Sequence, residues 1–326
     1  MRGDSVPAAG VIDPVYLPFP AEQLRSHLAS SLGSEAHERV ERDLMYYLKS
    51  ADRYHRFKGI HTVTQGMPLS KQRRPRQIEK DERFWVVTCL MSFFYAADRP
   101  ELLGTLLRPC FGDAPPLEGF QSWTECLDGD LRLFFEVKLP SPPSYKRLLQ
   151  EELSRRQIVP YVLDAARRAD TGIVRKDLEG STHVDAVLIN PQNGFAVLFE
   201  AKVLSDISIQ VSYDTLRNQL ARTVDVMLEE DSSLPEPLGL RKPERTLFAL
   251  LTPELFRQQP SSRLYGWLHN AYRTEPMTLA RDLPHRKTVD WPAIARRIGW
   301  LTWEDCSRVL PGSCPWLGCT SEMVWQ

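Results

Sequence analysis

The sequence predicts an α/β protein whose central sheet is covered by helices on both faces, and three observations lead there. The run Phe195 to Val203 is apolar on both alternations, with Ala196 and Leu198 on one side and Phe195, Val197, Phe199, Ala201 and Val203 on the other. Successive strand side chains point to opposite faces, so such a strand belongs in the interior of a sheet with helices above and below. The stretch Ile207 to Leu228 then carries an apolar stripe at helical spacing: Ile209, Tyr213, Leu216, Leu220, Val224 and Met227. Between Ser144 and Leu251 the elements read helix, three strands, helix, strand.

Taken in order, residues 1 to about 20 are proline-rich with little periodicity and read as a loose lead-in. Leu24, Leu28, Leu32 and then Val40, Leu44, Leu48 predict helix from Pro20 to about Lys58. Gly59 to Arg76 reads as a loop, and Gln77 to Ala97 and Pro100 to Leu107 as two further helices. Trp123 to Leu139 suggests a hairpin turning at Asp128-Gly129. The run Pro140-Ser141-Pro142-Pro143 breaks both helix and strand and sets a boundary. Beyond it, Ser144 can cap a helix running to Arg168, kinked or split at Pro160. Strands follow at Thr171 to Lys176, His183 to Ile189 and Phe195 to Val203, with a turn at Asn190 to Gly194. After the amphipathic helix comes a last strand, Arg245 to Leu251. The remainder holds six of the eight tryptophans, and Trp291 to Val309 reads as two short helices joined near Gly299. Tryptophans so placed are expected to fill the core of a small helical subdomain, the alternative being to stack on bases. The expected organisation is 1–143, mainly helical; 144–251, the α/β core; and 252–326, a Trp-rich helical extension.

A net charge of −1 excludes a strongly basic nucleic-acid coat protein, so any phosphate affinity must come from local patches. One such patch is Lys71 to Arg76, preceded by Arg53, His55, Arg56 and Lys58 with Tyr54 and Phe57 interleaved. No apolar run approaches the roughly 20 residues that span a membrane, and the N-terminus lacks the apolar core of a secretory signal. Six scattered cysteines suit reduced thiols in a cytoplasmic protein. Cys306, Cys314 and Cys319 lack the close pairs of a structural zinc site.

The chemistry concentrates in one place. Asp185 sits on the first apolar run, and the second ends in Glu200-Ala201-Lys202, so Glu200 and Lys202 share a strand face. Two carboxylates and an ammonium where strands diverge suit a hard cation and an attacking water. These residues resemble the Asp…Glu-x-Lys signature of the PD-(D/E)XK nuclease superfamily, over roughly Tyr145 to Leu251. The resemblance implies a three-layer, restriction-endonuclease-like core of order αβββαβ with a central mixed sheet. It implies Mg²⁺, or Mn²⁺ in its place, held by Asp185, Glu200 and the carbonyl of Ala201, with Glu151 or Glu152 as a third acid. Lys202 would position the water or neutralise charge on the phosphorus, and Gln219 on the following helix would reach the active site. Arg222, one turn beyond Gln219, and Arg73, Arg74 and Arg76 would contact the nucleic-acid backbone. The implied reaction is phosphodiester hydrolysis in DNA, in bacterial defence or restriction, although no residue tells DNA from RNA. The alternative is a relative that keeps the fold without catalysis, as a nucleic-acid-binding or scaffold module; the intact signature weighs against it. A homodimer or a partner protein is left open. A second Glu-x-Lys, Glu136-Val137-Lys138, reads as structural, because Asp128 and Asp130 lie within one hairpin and prolines follow.

Overall fold

A computed structural model describes residues 11–13, 17–32, 37–48, 81–156, 180–207, 217–231 and 233–317. The chain forms two compact units, Met1–Leu102 with Trp303–Gln326, and Leu103–Thr302. These units do not follow the boundaries 1–143, 144–251 and 252–326. The C-terminal segment joins the N-terminal unit, and the division falls inside the helix Arg99–Phe111.

The first unit opens with a two-stranded antiparallel sheet, β1 (Val11–Asp13) and β2 (Leu17–Pro20), where a loose lead-in was expected. Helices α1 (Ala21–Leu32) and α2 (residues 37–48) bury the predicted Leu24, Leu28, Val40 and Leu44. Helix α3 (Glu82–Phe94) starts at Asp81, whose carboxylate accepts the Arg83 N–H. Phe84, Val86, Val87, Cys89, Leu90, Met91 and Phe93 are all buried, so this helix is apolar all round and forms the unit's centre. Trp85 on α3 meets Trp303 at 5.4 Å and Trp316 at 4.2 Å between ring centroids. These C-terminal tryptophans therefore fill a core, as expected, but one shared with the N-terminal helices.

The second unit is built on a five-stranded sheet: β3 (Arg132–Leu139), β4 (Thr182–Asn190), β5 (Phe195–Ala201), β6 (Thr246–Thr252) and β7 (Ile298–Thr302), in that order. β3, β4 and β5 pair antiparallel, and β5, β6 and β7 parallel, so the sheet is mixed. Two of its strands come from outside 144–251. Where a hairpin was expected, α4 (Arg99–Phe111) and a loop lead to the short helix α5 (Trp123–Leu127), capped by Ser122, and only then to β3. The antiparallel strand β3 thus precedes helix α6 (Pro143–Arg156). The expected strand at Thr171 to Lys176 and Pro160 lie outside the described residues. Helix α6 begins at Pro143, one residue before the expected serine cap; proline there lacks only an N–H that has no helical partner anyway.

Every residue of β5 is buried. One face joins a core with Leu220 and Val224 of α7 (Gln219–Met227), with Phe256 of α8 (Glu254–Gln258), and with residues of α9 (Leu264–Thr274), α10 (Met277–Asp282) and α11 (Trp291–Arg296). On the other face, Phe120 packs on Phe195 at 6.3 Å and Phe111 of α4 lies on Gly299. Helices and loops on both faces confirm the α/β layering. Gly299, expected to join two helices, is a strand residue; a Cβ there would sit 2.4 Å from the Phe111 ring. Strand glycine often marks such a close approach.

Candidate active site

The site forms where β4 and β5 part. Their pairing ends at Ala186 opposite Phe199. One residue further, Asp185 turns its carboxylate onto β5, and Oδ2 accepts the Ala201 N–H at 2.7 Å. β5 continues against β6 instead, the Lys202 N–H donating to the Leu251 carbonyl at 2.9 Å. On the core-facing side, Glu200 Oε1 accepts from Lys202 Nζ at 2.6 Å and from Gln219 Nε2 at 2.5 Å. Glu200 is only 1 % exposed and Lys202 6 %, whereas Asp185 is half-buried.

Taking a carboxylate and an ammonium out of water costs several kcal/mol per ion and is offset only by close geometry and additional hydrogen bonds. The Glu200–Lys202 pair has both, because i and i+2 on a strand share a face and Gln219 adds a donor from the next element. The four residues expected to act together, Asp185, Glu200, Lys202 and Gln219, are therefore linked through the short segment Glu200–Lys202.

Others fall elsewhere. Arg222 is half-buried one turn along α7 from Gln219. Glu151 is exposed and Glu152 half-buried on α6. Among the described residues no group of three or more acidic, histidine or cysteine side chains is placed to hold a metal ion, so neither glutamate completes a three-acid set with Asp185 and Glu200. Arg73, Arg74 and Arg76 lie outside the described residues. The second Glu-x-Lys is nearer than the sequence suggested. Glu136 falls between the pairs Phe135–Ala186 and Val137–Val184, so it stands across from Asp185, and its φ of 52° is the left-handed region. The core-facing residues change parity there: Phe134 and Val187 on one side, Val137, Leu139 and Val184 on the other.

Sequence reasoning missed the groups around the start of α7. The stripe from Ile207 to Leu228 was read as one helix, but Asn218 is extended (φ −81°, ψ 171°) and caps a helix that starts at Gln219. Its side-chain oxygen accepts the Ala221 N–H at 3.0 Å, and its amide donates to Tyr272 Oη and Asp282 Oδ2. Asparagine just before a helical run is a cap signal, hidden here by a periodicity that runs through it. Equally unforeseen is Asp225, fully buried and bonded by Arg217 at 2.5 Å, His285 at 2.9 Å and Arg286 at 2.7 Å. Burial works against its charge, but the His285 hydrogen bond and the Arg286 and Arg217 charges outweigh it and hold its pKa below the ordinary value.

Compared with family models, curated proteins and solved structures, the chain matches none.

Proposed function

We propose that this protein is a metal-dependent nuclease of the PD-(D/E)XK type, hydrolysing phosphodiester bonds in DNA on a restriction-endonuclease-like core. The observation that carries the reading is the bond from Asp185 to the Ala201 N–H beside the Glu200–Lys202 pair where β4 and β5 part, with Gln219 supplied to Glu200 by the next helix. Three antiparallel strands continuing into parallel ones agree with it.

The donor chemistry fits magnesium, which binds through one or two carboxylates and completes its shell with water and phosphate oxygens. Asp185, Glu200 and the Ala201 carbonyl would hold it. When bound, the ion supplies charge neutralisation at the phosphodiester and makes water a stronger acid. The chain's own groups do the rest. Lys202, nearly excluded from solvent, places a positive charge where negative charge grows on the phosphorus, and low exposure strengthens that interaction. Gln219 fixes the rotamer of Glu200 through Oε1. Asp185 is half-buried, the most exposed of the three.

Purified protein incubated with supercoiled plasmid tests this. Cuts should appear with Mg²⁺ or Mn²⁺, vanish with EDTA, and fall by at least about 100-fold in Asp185→Ala and Glu200→Ala. Retention of DNA without cutting would support a binding module instead, and neither behaviour would end the nucleic-acid reading.

A further inference from the structure

We infer that Asn218 is a positioning residue, which bridges Tyr272 and Asp282 so that Gln219 meets Glu200. This rests on Glu200 belonging to the catalytic site proposed above.

A helix N-cap needs only an acceptor for an N–H two or three residues on, a task that serine, threonine or aspartate performs as well. Asn218 meets that need through Oδ1. Its amide has two further N–H groups, and Nδ2 lies 2.6 Å from Tyr272 Oη and 2.9 Å from Asp282 Oδ2. The Tyr272 hydroxyl in turn donates to the same Asp282 oxygen. Tyr272 is fully buried and anchors the triangle, while Asn218 and Asp282 are half-buried. A donor bonded to a carboxylate is roughly twice as strong as a neutral pair. Capping does not explain these two bonds.

What they accomplish follows from where α9 is anchored. Asp206, four residues after Lys202, accepts the Leu264 N–H at 2.8 Å and the Tyr265 N–H at 3.3 Å, at the first turn of α9. Two turns on, roughly 10 Å along the axis, Tyr272 holds Asn218. Helix α9 is therefore bonded at one end to the segment leaving Lys202 and at the other to the start of the helix that begins with Gln219. It sets the spacing between the two halves of the site, and Asn218 is the joint at the far end.

Asn218→Ser keeps the capping acceptor and removes both donations. The helix keeps its cap, while the ¹⁵N side-chain resonances of Gln219, assigned with Gln219→Glu, shift and exchange faster with water. Plasmid cleavage should lose about 10–100-fold in kcat with KM unchanged, the scale of losing an outer partner of a site. Tyr272→Phe should displace the same resonances. Asn218→Asp combined with Asp282→Asn reverses the polarity of the bridge and should restore both signals and cleavage. Unchanged Gln219 resonances in Asn218→Ser would overturn the inference, as would failure of the reversed pair to restore them. Absence of cleavage by the native chain would count only against the nuclease reading, since the resonances report position without catalysis.

Discussion

Glu136 shows how a single residue shapes the edge of the site. A left-handed φ of 52° within a strand costs a residue with a Cβ about 1–2 kcal/mol. The register on either side is unbroken, so the residue adds no bulge but turns the strand between two pairs. That turn coincides with the position across from Asp185, the first residue of β4 beyond the β4–β5 pairs on the side where the carboxylate reaches Ala201. Strain at such a place is tolerated because the surrounding sheet fixes it. The ordinary ranking of small residues should therefore invert here. Glycine in a strand is usually the weaker choice than alanine, yet Glu136→Gly should be more stable than Glu136→Ala by about 1 kcal/mol. Urea unfolding of the two variants gives the sign directly; alanine at or above glycine would show that the backbone there is relaxed.

Among the elements, Gly299 makes the same point through packing. Its missing side chain lets Phe111 of α4 lie against β7, and a Cβ would come within 2.4–2.8 Å of the ring carbons. Gly299→Ala should cost about 1–3 kcal/mol, the range for overpacking a filled interior. Phe111→Leu, by making room, should recover part of that loss in the double variant, and the four melting curves of the cycle measure it. The elements that were legible in the sequence are those whose signal is local. β5 announced itself by being apolar on both faces, and the motif it carries followed from the period-2 alternation that puts Glu200 and Lys202 on one side. Those that were not legible depend on partners far along the chain. Trp291 to Val309 has helix-like spacing, and only the parallel pairing of Phe248 with Ile298 and Leu250 with Trp300 makes its middle a strand. β3 acquires its role from β4, across a stretch that includes α6. Asn218 was concealed for the opposite reason, since a regular apolar stripe runs on through the position that caps the helix.

At the scale of the whole molecule, the distribution of buried charge sets how the fold responds to acid, and α9 carries one buried group that bears on it. Tyr265, His269 and Tyr272 occupy one buried stripe of this helix, with His269 against Trp300 at 5.1 Å. Burial, and then the nearby Arg273 charge, lower the His269 pKa to about 4. An unfolded chain takes up that proton near the ordinary 6.5, so the neutral ring stabilises the fold fully above that value. As pH falls from 6.5 towards 4 the unfolded state alone is protonated and the stabilisation is lost, by about 2.5 kcal/mol at pH 4.5. Asp282 acts in the other direction, since burial raises its pKa and its protonation favours the folded form as pH falls. Asp225 contributes only lower still: its pKa is held below 3.8, so its stabilisation persists above that value and fades beneath it. The histidine term is therefore isolated by comparing the native chain with His269→Phe, which keeps a ring and removes the titration. Unfolding free energies from urea titrations at pH 7 and 4.5 should differ by about 2.5 kcal/mol more in the native chain than in the variant, and parallel losses in the two would place the acid sensitivity elsewhere in the molecule.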